Sequence, residues 1–287
     1  MSEHADSDPV RRRIERAAGA RVLSLQPLAG GCIAEVYRVS FEHRPDAVAK
    51  VDNTPDPTLD IEGDMLSELA RTHAPIPRVI AAQRDVLLIE HIENDGQKSA
   101  EGEQELASVL AALHTHRSDS YGLDRDTLIG PLDQPNRWTE SWPRFYAEQR
   151  VRPMADLAEG QRALPHGCHE RLIDICDRME QLIGVPNPPA LIHGDLWAGN
   201  ILWHRGHLAA IIDPAIYYAD PEIELAFIDL MGGVGDAFWA SYTKARPIAA
   251  EFWRHRNRLY QLYPLLVHAA LFGGGYGSSV DRIAREL

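Results

Sequence analysis

Cysteine and positive charge are both scarce in this chain. Three cysteines, Cys32, Cys168 and Cys176, are an odd and sparse set among 287 residues. A disulfide framework is therefore not expected, and a reducing cytoplasm is the compartment that fits. No C-x2-C or H-x3-H pair is present to start a zinc site, and the nearest cluster, His166, Cys168 and His169, reads as loop. Lysine and arginine total 29 against 42 acidic residues, for a formal net charge of -13. Such a surface favours neither nucleic acid nor anionic lipid as a partner. No apolar run approaches the about 20 residues of a membrane helix. The polar start, MSEHADSDPV, has no apolar centre of a secretory signal. There is no internal repeat and no low-complexity tract. Hydrophobic residues make up 45% of the chain, ample for a real core.

The most informative stretch is Leu191 to Asp213. It reads LIHGDLWAGN, then an apolar strand-like run, then IIDPA. Asp195 can accept the proton of an attacking hydroxyl. Asn200 and Asp213 offer hard oxygen donors suited to magnesium, which bridges phosphates. H-x-D-x4-N followed by a second Asp is the catalytic-loop grammar of kinase-like phosphotransferases. One Asp alone would more simply cap a turn. Three polar groups at this spacing, each beside an apolar run, favour chemistry.

The N-terminal third supplies partners for that loop. Asp8 and Pro9 start a short basic helix that Gly19 ends. Strands are expected at 21–28, 35–41 and 46–51, with Gly30, Gly31, Cys32, Ile33 and Ala34 in the first turn. Glycines there let backbone N–H groups approach phosphate. No G-K-[ST] follows, so this is not a Walker loop. DAVAKVD places Lys50 where a strand lysine would hold the nucleotide's α- and β-phosphates. The helix expected at 59–71 carries Glu62, Asp64 and Glu68, one of which should pair with Lys50. Two more strands, 79–82 and 86–92, end at a hinge where the backbone of Glu90, His91 and Ile92 could meet adenine.

The rest is mainly helical. An amphipathic helix is expected at 103–116, with His114 and His116 at the core edge. A turn-rich region carries IGPLDQPN. An aromatic, basic segment follows at 138–157, whose Arg144, Arg150 and Arg152 read most simply as a solvated face. Helices at 168–183, after Glu222 and from 237 to 271 complete the chain. The expected class is α+β, a two-lobed protein-kinase-like fold. A small β-rich nucleotide-binding lobe with one main helix would take residues 1–92, and a larger, mainly helical catalytic and substrate-binding lobe 93–287.

A protein kinase fits poorly. Trp197 stands where Ser/Thr kinases commonly have Lys, Asp213-Pro214-Ala215 replaces DFG, and no A-P-E element follows. The helix EIELAF begins too soon after Asp213 for a peptide-binding activation loop. A small-molecule phosphotransferase of the aminoglycoside/choline-kinase type fits better. Within that group the chain resembles the fructosamine kinase (ketosamine-3-kinase) family. The matches are GGCIAEVY at 30–37, LLIEH at 87–91, IGPLDQPN at 129–136, WPRFYAEQRV at 142–151, HGDLWAGN at 193–200, DPAIYY at 213–218 and YQLYPLLVHAALFGGGY at 260–276.

The resemblance implies ATP- and Mg2+-dependent phosphorylation of the sugar C3 hydroxyl of ketosamines, free or on glycated protein side chains, and hence protein deglycation. It implies Asp195 as base, Asn200 and Asp213 as magnesium ligands, Lys50 on the phosphates and the loop from Gly30 to Ala34 over the nucleotide. The family's helix acid falls on Asp64, where relatives usually show Glu, with Glu68 as the alternative. Trp197 could pack against the sugar or under its own loop. Asp220 departs from the family pattern and could alter the substrate mouth. Relatives carrying the equivalent of Cys32 suggest a redox-linked homodimer beside the monomer. Another small-molecule kinase, or a nucleotide-binding scaffold without catalysis, are the competing functions.

Overall fold

The computed structural model describes residues 9–28 and 34–287. Gly30, Gly31, Cys32 and Ile33 lie outside the described residues, and Ala34 lies just inside them.

Helix α1 (Pro9–Ala18) precedes an antiparallel five-stranded sheet of β1 (Val22–Pro27), β2 (Glu35–Phe41), β3 (Ala47–Val51), β4 (Val79–Gln83) and β5 (Val86–Glu90), in the order β1-β2-β3-β5-β4. The alternation of β5 sorts the two faces. Val86 and Leu88 join Ile14 of α1, while Leu87 and Ile89 join Leu59 and Leu66 of α2 (Leu59–Ala70). Each fully buried leucine or isoleucine contributes roughly 1.5–3 kcal/mol. Gly63 brings α2 close to the sheet, since a Cβ there would stand 2.4 Å from Cβ of Ala82. The central strand β3 lies between β2 and β5, with Lys50 opposite Leu87.

The larger lobe begins with α3 (Ala100–Leu113), started by Ser99, whose hydroxyl accepts the Gly102 N–H at 3.2 Å. This helix starts and ends three residues earlier than the sequence suggests, because Ser99 supplies the cap. A short hairpin of β6 (Thr127–Ile129) and β7 (Leu132–Gln134) follows. The aromatic segment forms α4 (Trp142–Tyr146), a π turn at Ala147–Val151 and α5 (Arg152–Gly160), where Pro153 sits in the first turn. Trp142, Phe145 and Tyr146 are fully buried.

Next come α6 (Cys168–Asp177) and α7 (Met179–Ile183), with Arg178 interrupting the single helix expected there. Strand β8 (Ala190–Ile192) pairs antiparallel with β11 (Tyr217–Ala219), and β9 (Ile201–His204) with β10 (His207–Ile211). Arg205 and Gly206, both at positive φ (51° and 86°), make the two-residue turn of the second hairpin. Helices α8 (Glu222–Met231), α9 (Asp236–Ala245), α10 (Asn257–Tyr260), α11 (Leu262–Phe272) and α12 (Tyr276–Glu286) complete the lobe. A small antiparallel sheet lobe and a helical lobe thus form the two-lobed α+β architecture.

Candidate active site

Lys50 ties the two lobes together. β3 carries it across to α2 on one side and to the segment after β10 on the other. Its Nζ lies 2.7 Å from Oε1 of Glu62 and 2.7 Å from Oδ1 of Asp213. Burial alone would pull the ammonium down, but the charges of Glu62 and Asp213 outweigh it and hold the pKa above the ordinary lysine value. The helix acid is therefore Glu62, which corrects the assignment to Asp64. Asp64 is exposed, and Glu68 pairs with Arg71 one turn on, at 2.8 Å. The reason is helical phase: Glu62 shares the sheet-facing side of α2 with Leu59, Leu66 and Leu69, whereas Asp64 points away.

The catalytic-loop residues are built on β8 and on the turn that follows it. Gly194 has φ +86°, and a Cβ there would stand 2.1 Å from the carbonyl oxygen of Ala215. Only glycine lets the two loops approach this closely. Asp195 follows, its N–H 3.3 Å from Nδ1 of the buried His193. A 3-10 turn, Ala198–Asn200, brings Asn200 back under Asp195. Nδ2 of Asn200 donates to the Asp195 carbonyl at 2.8 Å and to its Oδ2 at 2.9 Å. Asp213 is held at φ +56°, in the left-handed region that costs a non-glycine residue energy and that Asp tolerates better than most.

Asp195 is pushed up to about 8. Burial is the main cause, the like charge of Asp213 adds to it, and the Asn200 hydrogen bond pulls back. Trp197 is 39% exposed, and its ring lies over Gly199, where a Cβ would meet ring carbons at 2.5 Å. The ring is thus on the surface of the loop, not packed beneath it.

Several buried groups around the loop sit differently from what the sequence suggested, or were not assigned a role there. Oε1 of Glu224, on α8, accepts the Gly194 N–H at 2.7 Å, and Oε2 lies 2.9 Å from Nε2 of His114. Nδ1 of His114 in turn lies 2.7 Å from the Tyr242 hydroxyl. Burial holds this imidazole below its ordinary pKa, so Tyr242 donates to it and it donates to Glu224. His114 is fully buried rather than at the core edge. Asp220 likewise lies inside. It accepts the Asn187 and Glu222 N–H groups at 3.1 and 3.0 Å, which gives it a structural place at the start of α8, and it does not line the cavity beside Asp195. Arg150, expected on a solvated face, is 0% exposed.

Beside Asp195 opens a small pocket that is continuous with the surface. Its walls are Ile129, Ile192, Tyr217, Phe227, Tyr263 and neighbouring residues of α8 and α11, largely apolar and aromatic, with Asp195 and Glu224 as its carboxylates. At the other end of the site, β5 closes at Glu90, whose N–H donates to the Arg78 carbonyl at 2.9 Å. His91 Nδ1 stands 3.6 Å from Glu93, and the Ile92 carbonyl accepts from Asn94 at 3.1 Å.

The donor set suits magnesium. Asn200 directs its amide nitrogen at Asp195, which leaves its amide oxygen available. Asp213 gives one oxygen to Lys50 and keeps the other. Two hard oxygen donors of this kind suit a metal that bridges phosphates.

Fold and site together define a kinase-like small-molecule phosphotransferase. The sequence model of the fructosamine kinase family matches residues 8–287, and the chain belongs to that family. It is 31% identical to a probable ketoamine kinase of Enterococcus faecium, over 91% of this chain and 94% of that one. It is 29% identical to the chloroplastic protein-ribulosamine 3-kinase of Arabidopsis thaliana, over 96% and 86%. A fructosamine-3-kinase candidate from Thermobifida fusca superposes with a TM-score of 0.87 at 32% identity, covering 96% of this chain and 97% of its own. The aminoglycoside phosphotransferase APH(4)-Ia shares the fold alone, with a TM-score of 0.66 at 17% identity over 97% and 98% of the two chains.

Proposed function

We propose that this protein is an ATP-dependent ketosamine kinase that phosphorylates the C3 hydroxyl of fructosamine or ribulosamine adducts. The observation that carries this reading is the pairing of Asn200 with Asp195 and of Lys50 with Asp213, with Asp195 itself lining an aromatic-walled cavity. The family supplies the acceptor, and the names of the Enterococcus and Arabidopsis relatives favour ketoamines and ribulosamines. The unstable 3-phosphate would then release the amine, which is deglycation.

In this reading Asp195, in its ionised form, takes the hydroxyl proton as the acceptor oxygen bonds to the γ-phosphorus and ADP leaves with the electron pair of the broken P–O bond. Asn200 fixes the carboxylate of Asp195 through Nδ2. Lys50, steadied by Glu62, holds the phosphates. The backbone of Glu90, His91 and Ile92 meets adenine, and the segment from Gly30 to Ala34 covers the nucleotide. Asn200 and Asp213 would hold magnesium, which neutralises charge developing on the phosphates. Trp197, exposed beside the base, packs on the sugar. The nucleotide-binding lobe takes residues 1–92 and the catalytic lobe 93–287.

Acceptors are small ketosamines or glycated protein side chains. The cytoplasm fits the free thiols of Cys168 and Cys176. Among the described residues no helix is long and apolar enough to cross a membrane.

The test is ATP turnover against fructosyl-lysine, ribulosyl-lysine, choline and an aminoglycoside, with NMR locating the phosphate. Phosphorylation at C3 of a ketosamine is expected, with Asp195→Asn lowering kcat by about 10²–10⁴-fold. Turnover of the aminoglycoside alone would overturn the acceptor assignment, and an undiminished Asp195→Asn rate would overturn the base.

A further inference from the structure

Behind the cavity wall sits a buried cation. Arg150 is 0% exposed, and its hydrogen bonds among the described residues go to neutral oxygens. Burying a charge in this way is costly unless other groups take up its hydrogen bonds. Here Nη1 donates to the carbonyls of Pro135 and Gln149 at 2.6 and 2.8 Å, and Nη2 to Oδ1 of Asn136 at 2.6 Å. The guanidinium carbon lies 3.9 Å from the ring centre of Tyr217, 4.7 Å from that of Phe145 and 5.5 Å from that of Tyr263. Tyr217 and Tyr263 are two of the cavity's walls.

The acceptors of Arg150 belong to a wholly buried polar chain. Nδ2 of Asn136 donates to Oγ1 of Thr127 at 2.8 Å. Nε2 of Gln134 donates to the same oxygen at 2.9 Å and to the Ala215 carbonyl at 3.1 Å. The Tyr263 hydroxyl donates to Oε1 of Gln134 at 2.8 Å. Ala215, two residues beyond Asp213, donates its N–H to the His193 carbonyl at 2.8 Å. One end of the chain thus grips the aromatic wall, and the other grips the backbone at Ala215, just beyond Asp213.

We propose that Arg150 is a positioning residue for the acceptor. With Asn136 and Gln134 it fixes the rings of Tyr217 and Tyr263 at the depth at which an acceptor hydroxyl reaches Asp195. A planar guanidinium can stack on rings and fill three acceptors at once, which neither lysine nor an apolar side chain can do. The inference rests on the cavity being the acceptor site, as in the proposed function.

The experiment measures KM for ketosamine and for ATP separately in Arg150→Met, Arg150→Lys and Asn136→Ala, with far-UV circular dichroism as the folding control. A merely structural role would disturb both substrates or neither. The expected result is a rise of about 10-fold or more in acceptor KM for Arg150→Met with ATP KM within about twofold, because interactions used to seat the acceptor are lost. Arg150→Lys should recover only part of this. Asn136→Ala, which loosens the grip without touching the cavity, should shift acceptor KM in the same direction by less, and it carries the test if Arg150→Met does not fold. Unchanged acceptor KM, or equal rises for both substrates, would overturn the proposal. If wild-type protein turns over no ketosamine, the functional reading fails on its own. The same KM comparison is then made with whichever acceptor it does use.

Discussion

Replacing Glu62 by Gln isolates the contribution of the Lys50 partner, and replacing Asp64 by Asn is its control. The two acids lie two residues apart on α2, yet only Glu62 reaches Lys50, at 2.7 Å. The side chains of Lys50 and Glu62 are only 11% and 17% exposed, so values for solvent-screened surface pairs do not apply. A buried hydrogen bond between charged groups contributes about 1.5–3 kcal/mol. In Glu62→Gln the new amide would keep a neutral acceptor and Lys50 would keep Asp213, so the loss of stability should fall near the low end, about 1–2 kcal/mol. Activity should suffer more. Once nucleotide and metal engage Lys50 and Asp213, Glu62 is the protein group left to aim the ammonium. Losing about 1.5–3 kcal/mol at that stage corresponds to roughly 10–100-fold in kcat/KM for ATP. Steady-state kinetics and thermal melts of the two variants provide the assay. Asp64→Asn should match wild type within about twofold, as exposed substitutions generally do. If Asp64→Asn loses as much as Glu62→Gln, or Glu62→Gln loses nothing, the assigned pair is wrong.

Three further outcomes are expected. Because the Asp195 carboxyl sits at about 8 in the folded protein and near 3.8 unfolded, its contribution to stability is fully present below about pH 4. It is lost as pH rises toward 8, since the unfolded chain then releases a proton that the folded one retains. Thermal melts in chelator from pH 5 to 8.5 should therefore slope downward more steeply for wild type than for Asp195→Asn, and equal slopes would contradict the buried-carboxyl account. Trp197→Ala should raise acceptor KM by about 10-fold while leaving ATP KM nearly unchanged, and a shift confined to ATP would move Trp197 out of the sugar site. Burial pushes the thiols of Cys168 and Cys176 up to about 12, leaving them almost no thiolate. Any oxidant-induced dimer on a non-reducing gel should therefore vanish in Cys32→Ser, and its persistence would exclude Cys32 as the bridging thiol.

The elements that carry chemistry were legible wherever their signal was local. The DAVAKVD run is a β-branched strand ending in a lysine, and HGDLWAGN packs a base and an amide into eight residues. Their convergence needed no long-range information beyond the motif. What escaped was anything decided by which side of a helix faces inward. Glu62, one of three candidate acids, could have been chosen over Asp64, because it continues the i, i+3, i+7 row of Leu59, Leu66 and Leu69. Arg150 could have been found in the same way, four and eight residues after the buried Tyr146 and Trp142. In both cases the usual preference of charged residues for water outweighed the periodicity. Glu224 and Asp220 were harder. Each is buried because a distant segment, Gly194 or Asn187, presents N–H groups to it. No local pattern encodes such a partner.

The bridge of Lys50 to Asp213 has a thermodynamic consequence for ligand order. Paired at 2.7 Å, each charge already satisfies the other, so a nucleotide or a metal must compete for its counter-charge. Nucleotide arriving alone would draw Lys50 away and strand the Asp213 carboxylate. Metal arriving alone on the other oxygen of Asp213 would weaken its hold on Lys50, which keeps Glu62. When both arrive, each stranded group finds a new counter-ion, so the two affinities are linked and must strengthen each other reciprocally. The bridge thereby acts as a filter for the metal–nucleotide complex over either component.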